Sequence, residues 1–253
     1  MKQPLAGKNI MVTREATQAL PLVHLLEAEG ASCYRVPLLR FKAIINKKNH
    51  QQFLQLKEKA DWLFFTSANA VCFFDHYVKT MGLTINQKIA SVGEKTTSML
   101  ESYGYIIDFQ PTVYRGDIMV KEFLHRYGKQ KIALIVGSKS RPEIPQLLKK
   151  AEISFEKIVI YRTIKNTEVQ PLLKQTVSKV DAVFFTSPST VQAFQQFLTT
   201  QHFERIKEEV VAVAIGQTTA TALEKAMFSD IISPDNFTIE DMVQCYINYM
   251  EKR

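Results

Sequence analysis

The sequence has few of the residues that build disulfide frameworks, metal centres or membrane spans. Its three cysteines, Cys33, Cys72 and Cys245, are widely separated, and an odd number without paired spacing argues against a disulfide framework and a zinc site. The five histidines form no HxxxH or HExxH pattern, so no bound metal is expected. No apolar run approaches about 18 residues, and the first residues lack the apolar stretch of a signal peptide. We therefore expect a cytoplasmic protein that does not contact a membrane.

Nucleotide and nucleic-acid signatures are also missing. There is no GxxxxGK[ST] loop, so nucleotide hydrolysis is not predicted. The net charge is +7, and residues 41–163 hold 19 Lys and Arg against 11 Asp and Glu, whereas the remainder holds 13 against 14. A basic excess favours an anionic partner. Because the basic residues are dispersed and form no cluster with interleaved aromatic residues, a solvated basic face or a polyanionic small molecule explains them better than nucleic acid does.

What the sequence does contain is an internal duplication that runs along the whole chain. DWLFFTSANAV at 61–71 returns as DAVFFTSPSTV at 181–191, and KIASVGEKTTSMLESYGY at 88–105 returns as VVAVAIGQTTATALEKAMFS at 210–229. PTVYRGDIMVKEFL, which begins at residue 111, matches PDNFTIEDMVQCYI, which begins at residue 234. Two copies of this length predict two sister domains rather than a solenoid.

Each copy alternates short apolar runs with amphipathic segments. Uninterrupted runs rich in Val, Ile and Phe, such as NIMVT and DWLFF, are typical of buried parallel strands, and the segments after them have helical spacing. We therefore predict an α/β fold with doubly wound parallel sheets in two sister lobes. The extended stretches VPLLRFKAI and IVIYRTIKN predict two crossings between the lobes, at 38–41 and 161–163. Lobe 1 would then contain 1–37 and 164–253, and lobe 2 would contain 42–160.

The repeated Thr-Ser pair follows a predicted strand in both copies, at Thr66 and Ser67 and again at Thr186 and Ser187. Ligands of open α/β sheets bind outside the carboxyl ends of the strands. Each serine is also a good N-cap for the next helix, and a cap needs no ligand. Because both pairs lie at equivalent strand ends of sister lobes, we predict that they face one cleft and bind substrate there.

Two glycine turns repeat the same design. Gly93 and Thr96 follow one predicted strand, and Gly216, Thr218 and Thr219 follow its counterpart. Glycine permits a tight turn into the helix, and the amides at the helix N-terminus favour an anion. The alternative is a tight turn with no ligand.

The double Thr-Ser motif, the VG-x-x-T and IG-x-T-T turns, the VPLL strand and the IVIYRT crossing together resemble the uroporphyrinogen-III synthase family. The resemblance covers essentially the whole chain. It implies two flavodoxin-like lobes joined by a two-strand connector, with the active site in the cleft. It also implies cyclisation of hydroxymethylbilane, a linear tetrapyrrole, to uroporphyrinogen III with inversion of the last ring and loss of water, without a cofactor or metal. We further expect a monomer.

The resemblance assigns a role to Tyr161, which matches a family tyrosine that faces the cleft. Its phenol could protonate the departing hydroxyl group of the substrate as a general acid; the alternative is a half-buried connector aromatic. Arg14, after the first strand, could bind a substrate carboxylate, or it could be an ordinary surface arginine. Lys139 and Arg141 are expected to be solvated and to add to the positive field.

Two other function classes fit parts of this pattern. A two-lobed binding protein for an anionic small molecule would keep the strand-end donors but would not need Tyr161. A nucleotide-sugar transferase would need diphosphate-binding features that the sequence lacks. The isomer formed from hydroxymethylbilane separates the synthase from both.

Overall fold

A computed structural model describes residues 3–253 and divides the chain into two compact units. Unit 1 comprises the residues up to Arg40 together with Ile164–Arg253, and unit 2 comprises Phe41–Thr163. The chain thus leaves unit 1 once and returns to it once. The lobe boundaries predicted from the sequence differ by a few residues from the limits of these units. That the lobes are independent domains stays a prediction.

Short strands alternate with helices along most of the described chain, as the pattern of apolar runs predicted. The strands are β1 (Asn9–Val12), β2 (Ser32–Arg35), β3 (Leu39–Ala43), β4 (Trp62–Phe65), β5 (Lys88–Ser91), β6 (Ile132–Gly137), β7 (Phe155–Lys165), β8 (Ala182–Phe185), β9 (Val211–Ala214) and β10 (Ile231–Ile232). The helices are α1 (Ala16–Ala28), α2 (Lys47–Leu54), α3 (Leu56–Lys59), α4 (Ala68–Met81), α5 (Glu94–Ser102), α6 (Gly116–Tyr127), α7 (Glu143–Lys150), α8 (Gln170–Thr176), α9 (Pro188–Phe197), α10 (Thr200–Glu209), α11 (Gln217–Lys225) and α12 (Ile239–Glu251).

The strands form two sheets of five. The sheet of unit 1 has the order β10-β9-β8-β1-β2, and its neighbouring strands are parallel. Starting from β2, this is the flavodoxin order, in which the second strand of the unit lies at the edge beside the first. The other sheet has the order β3-β7-β6-β4-β5, with β7, β6, β4 and β5 parallel. The predicted α/β class with two parallel sheets is confirmed.

Strands β3 and β7 are neighbours in one sheet, and the limits between the two units fall within them. The predicted extended crossings are therefore strands, as expected. The duplication is also visible in the register. Ile232 pairs with Val213 in unit 1, and a single parallel bridge joins Phe109 to Ala90 at the corresponding place in unit 2.

The repeated FF dipeptide explains how each sheet is covered on both faces. Successive side chains of a strand point to opposite faces, so Phe64 packs against Phe123, with ring centroids 4.8 Å apart, while Phe65 packs against Phe74 at 5.0 Å. Both residues of the dipeptide are fully buried. The FF pair of unit 1 divides its rings between two apolar clusters in the same way. Because both faces of β4 and β8 are covered by apolar side chains, the polar Thr-Ser pairs lie just after these strands end.

Candidate active site

The Thr-Ser pairs lie at the carboxyl ends of β4 and β8, and each serine begins the next helix. Ser67 Oγ accepts a hydrogen bond from the amide of Ala70 at 3.2 Å, and Ser187 Oγ accepts one from the amide of Thr190 at 3.3 Å. The predicted N-caps are confirmed. Both serines are half-buried, so capping leaves part of each side chain accessible to a ligand.

Only one of the two serines has a tyrosine beside it. Ser67 Oγ lies 3.3 Å from the hydroxyl oxygen of Tyr161, and either group can donate the hydrogen bond. Tyr161 lies on β7 and exposes 9% of its surface. Its ring stacks on Phe73, with centroids 5.1 Å apart and planes 13° apart, and meets the edge of Phe41 at 5.5 Å. Packing therefore fixes the ring of Tyr161, while its hydroxyl group lies beside Ser67 at the carboxyl end of β4.

Gly137 is the residue that makes room for this ring. It ends β6 opposite Tyr161, after a register shift between Val136 and Gly137. A Cβ atom on Gly137 would lie 2.4 Å from Tyr161 Cζ and 2.7 Å from its hydroxyl oxygen. Such a contact is far inside van der Waals distance, so any other residue would displace the tyrosine. The sequence analysis missed this position, because a glycine at the end of a strand also fits an ordinary turn.

A cavity of about 480 Å³ opens above these residues, entirely within unit 2. It brings together three of the predicted site residues, Thr66, Ser67 and Tyr161. Its other lining residues come from β6 and the segment after it, from the start of α7, from the start of α6 and the segment before it, from the residue after β5 and from β7. They are Val92, Tyr114, Arg115, Gly116, Leu134, Val136, Gly137, Lys139, Ser140, Arg141, Glu143, Ile144, Pro145 and Thr163. The cavity therefore combines an apolar floor with a basic, polar rim.

Three cations lie on this rim. Arg115 forms an ion pair with Asp117 at 2.7 Å, and Lys139 and Arg141 are both exposed. Ser140 Oγ, between them, is buried and has no hydrogen-bond partner among the described residues. Cations and a hydroxyl at the mouth of a cavity suit a ligand with several carboxylates.

The glycine turns differ from the Thr-Ser pairs because glycine cannot cap a helix with a side chain. Gly93 is the N-cap of α5 and Gly216 is the N-cap of α11, and neither has a side-chain cap. Thr96 and Thr219 are buried, whereas Thr218 is exposed. First-turn amides without a cap are suitable anion donors, so these turns offer backbone N–H groups together with the Thr218 hydroxyl.

The predicted residues of unit 1 follow three adjacent strands. Arg14 follows β1, Thr186 and Ser187 follow β8, and Gly216 follows β9. Arg14 is half-buried, and its Nε donates to Gln18 Oε1 at 3.4 Å. Burial lowers the pKa of Arg14, and the neighbouring Glu15 carboxylate acts in the opposite direction. An arginine keeps its positive charge under such shifts, so this side chain is suited to bind a carboxylate.

Among residues 3–253, no group of three or more His, Cys, Asp and Glu side chains is arranged to hold a metal ion. None of the helices formed by those residues has the length and apolar character needed to span a bilayer.

Taken together, the fold and the strand-end residues define an α/β protein of two flavodoxin-like units whose strand ends carry hydrogen-bond donors and cations suited to an anionic small molecule. The model of one family, described as uroporphyrinogen-III synthase HemD, matches residues 21–244. The chain belongs to the uroporphyrinogen-III synthase family.

Individual relatives agree with this membership. The chain is 28% identical to the uroporphyrinogen-III synthase of Chlorobaculum parvum over 91% of this chain and 94% of that protein. It is also 28% identical to the porphyrin biosynthesis protein HemD of Ruminiclostridium josui over 96% of this chain, but it spans only 49% of that longer protein. Thus the chain spans about half the length of one relative and nearly the whole length of the other.

Solved structures show the same fold. The uroporphyrinogen-III synthetase of Helicobacter pylori matches with a TM-score of 0.66 and 17% identity, over 96% of this chain and 99% of that one. A mutant uroporphyrinogen III synthase of Thermus thermophilus matches with a TM-score of 0.61 and 16% identity, over 98% of this chain and 100% of that one. The family resemblance, the fold class and the assignment as a cyclising lyase of haem biosynthesis are therefore confirmed.

Proposed function

We propose that this chain cyclises hydroxymethylbilane to uroporphyrinogen III, and that the cavity of unit 2 holds the reacting end of the substrate. Family membership supports the reaction class. The observation that carries the assignment of the site is the pair of hydroxyl groups of Tyr161 and Ser67, 3.3 Å apart at the cavity wall. A packed phenol with a hydrogen-bond partner is positioned to transfer a proton to one bound atom.

Tyr161 is proposed as the general acid. A pyrrole nitrogen of the substrate pushes its electron pair toward the hydroxymethyl carbon, the carbon–oxygen bond breaks, and the phenol proton leaves with the hydroxyl group as water. An azafulvene cation and a tyrosine phenolate remain. Ser67 can donate a hydrogen bond to that phenolate at its present distance, which stabilises the charge that develops.

The next bond decides which isomer forms. The substituted carbon of ring D attacks the azafulvene carbon and gives a spiro intermediate, which opens and closes again with ring D inverted. The proton that ring D finally loses can return to the Tyr161 phenolate, so the enzyme ends in its starting state. Attack through the unsubstituted position would give the type I isomer instead. The main contribution of the protein is therefore to hold one folded conformer of the substrate.

Neutral donors are proposed to hold the eight carboxylates of the substrate. In unit 2 they are Thr66, Ser67 and the first-turn region of α5, represented by Gly93 and Thr96. In unit 1 the proposed neutral donors are Thr186, Ser187, Gly216, Thr218 and Thr219, and the positively charged Arg14 is proposed to bind a carboxylate beside them. Hydroxyl and amide donors satisfy carboxylates without permanent ion pairs, which favours release of a product that keeps all eight charges.

The test is incubation with hydroxymethylbilane generated by its own synthase, followed by oxidation and isomer analysis of the porphyrin. We expect the type III isomer from the natural chain. Tyr161→Phe should lower kcat by about 100-fold with little change in KM, because general acids contribute on this scale.

Tyr127→Phe is the matched control, because it removes a hydroxyl that donates to the Asp108 carbonyl outside the cavity, and it should leave turnover unchanged. Type I product alone would reject the synthase and leave an anion-binding protein. Type III product at an unchanged rate from Tyr161→Phe would reject only the acid.

We also propose that the protein acts as a cytoplasmic monomer that binds neither nucleic acid nor membrane. Size-exclusion chromatography with light scattering at micromolar concentration tests the oligomeric state, and a dimer mass would contradict the proposal.

A further inference from the structure

An exposed aromatic ring that lies outside the apolar clusters occurs in each unit, at Tyr114 in unit 2 and at Phe237 in unit 1. Tyr114 has 54% of its surface exposed and Phe237 has 66%. Neither ring pairs with another aromatic ring among the described residues, and neither belongs to an apolar cluster of its unit. Most aromatic side chains of this chain are buried. A large exposed ring that packs against no core is a feature of binding surfaces.

The two rings occupy equivalent positions in the duplication. Tyr114 is the fourth residue of PTVYRGD, and Phe237 is the fourth residue of PDNFTIED. Each segment leads into the last helix of its sequence repeat, which is α6 in unit 2 and α12 in unit 1. An aromatic residue is therefore present at this position in both copies, although the neighbouring residues differ.

Each ring also lies beside the glycine that begins the helix after the VG or IG turn. A Cβ atom on Gly216 would lie 2.4 Å from Phe237 Cδ1, so the phenyl ring lies directly against this backbone. A Cβ atom on Gly93 would lie 3.7 Å from Tyr114 Cβ. Both units thus place an exposed aromatic ring next to first-turn amides that have no side-chain cap.

We propose that Tyr114 and Phe237 are substrate-stacking residues, one in each unit, and that each stacks on one pyrrole ring while the adjacent helix amides bind carboxylates of that ring. This inference rests on the proposed function and adds to it the residues that recognise the flat part of the substrate. A pyrrole that carries acidic side chains presents a π face and negative charge together, and the ring and the amides match these two features.

The cavity of unit 2 supports the assignment of Tyr114. Tyr114 lines the same cavity as Ser67 and Tyr161. Loss of the hydroxyl group leaves positive charge on the tetrapyrrole, and an aromatic face attracts a cation at short range. Tyr114 can therefore bind the ring in the ground state and stabilise the cation after water leaves.

The first test separates the ring from the hydroxyl and from the fold. Tyr114→Leu and Phe237→Leu should each raise KM for hydroxymethylbilane by about tenfold, as expected for the loss of one stacked ring. Tyr114→Phe and Phe237→Tyr keep the ring and should stay within about twofold of the natural chain. Tyr103→Leu and Leu172→Ala are controls, because they remove exposed apolar side chains that do not line the cavity.

The second test does not depend on turnover. Uroporphyrin III keeps the eight carboxylates, and its own fluorescence reports binding. Tyr114→Leu and Phe237→Leu should each raise its Kd by about tenfold, with thermal unfolding close to that of the natural chain.

The outcomes distinguish the two proposals. One outcome is that the natural chain makes no type III product while its leucine variants still bind the porphyrin more weakly. That result would support the stacking residues and reject the proposed reaction. Unchanged KM and Kd in both leucine variants would overturn the stacking proposal, as would a Tyr114→Phe variant that loses as much as Tyr114→Leu. A natural chain that neither binds uroporphyrin III nor makes the type III isomer would overturn both proposals.

Discussion

The two units carry the same strand-end motifs but different chemistry. Both have the FFTS strand end, a serine N-cap and a glycine turn. In the repeated crossings VPLLR and IVIYR, however, Leu39 of the first copy corresponds to Tyr161 of the second. The glycine that accommodates the tyrosine ring, Gly137, corresponds to Glu15, which caps α1 with its carboxylate. The shared features are the proposed anion-binding groups, whereas the candidate acid lies in unit 2.

The two units also differ in net charge, and the positive excess lies in the unit that holds the candidate acid. The range 41–163, which is unit 2, has 19 basic and 11 acidic residues, whereas the rest of the chain has 13 and 14. A positive field attracts an anion before contact. The unit that holds the candidate acid is thus also the unit with the basic excess. The comparison agrees with the proposal that both copies bind anions at their strand ends and that the reaction takes place in unit 2.

The largest expected effect comes from a change at Gly137, which corresponds to Glu15 in unit 1. Gly137→Ala would place a Cβ atom 2.4 Å from Tyr161 Cζ, and the ring is already stacked on Phe73. The tyrosine must move, so kcat should fall by about 100-fold, as for loss of the acid itself. Overpacking should also lower the free energy of unfolding by about 1–3 kcal/mol. Steady-state kinetics and urea denaturation measure both.

A double variant controls for general damage. In the Tyr161→Phe background, Gly137→Ala should lower kcat by less than about threefold, because residues that act through one group are not additive. If the two losses multiply instead, Gly137 does not act through the tyrosine, and the contrast between the units loses its main argument.

The second prediction compares the serines that the duplication made equivalent. Ser67→Ala and Ser187→Ala each remove an N-cap and should destabilise the protein by a similar amount, about 1 kcal/mol. Only Ser67 lies beside the Tyr161 hydroxyl. We therefore expect Ser67→Ala to lower kcat by about tenfold, while Ser187→Ala raises KM and changes kcat little. Equal losses of kcat in the two variants would show that the serines act only as caps.

The fold was predictable because local sequence patterns indicate most of its strands and helix ends. Uninterrupted apolar runs indicate the strands, the serines before α4 and α9 indicate where these helices begin, and the glycines after α1 and α5 indicate where those helices end. Gly30 and Gly104 have φ values of +93° and +84°, which side chains with a Cβ atom rarely adopt. The duplication then predicts that what holds for one unit holds for the other.

The candidate site was predictable only in part. Thr66 and Ser67 stand out because the motif occurs twice, and Tyr161 because of the family resemblance. The roles of Gly137, Phe73 and the exposed Tyr114 depend on neighbours that are distant in sequence; Gly137 and Tyr161, for example, are 24 positions apart. The repeat did align Tyr114 with Phe237, and an aromatic residue retained in both copies is the signal that could have identified them.

The third prediction tests the difference in charge. Arg141→Gln removes an exposed cation from the cavity rim and should raise KM by about threefold at low ionic strength. Salt screens such interactions over about 10 Å at 0.1 M, so the difference should disappear at high ionic strength.

The control is Lys174→Gln in unit 1, an exposed lysine on α8, and it should have no effect on KM. A KM that is independent of salt in the natural chain would remove the proposed role of the basic unit.

The smallest effect concerns stability in alkali, where the units should behave alike. Burial, with help from the Asp75 charge and a 3.3 Å hydrogen bond to that carboxyl, raises the pKa of Tyr105 in unit 2. In unit 1, burial and the hydrogen bond to Asp230 raise the pKa of Tyr249 to about 12. An unfolded tyrosine has a pKa of about 10.

Because both folded values lie above the unfolded one, the neutral phenol is favoured in the folded state. This contribution to stability is fully present below about pH 10 and is lost as the pH rises through the folded pKa. The urea midpoint should therefore fall as the pH rises from about 10 toward 12, and Tyr105→Phe and Tyr249→Phe should each make that fall shallower. If Tyr105→Phe alone has this effect, unfolding in alkali begins in unit 2, and the two units differ in stability as well as in chemistry.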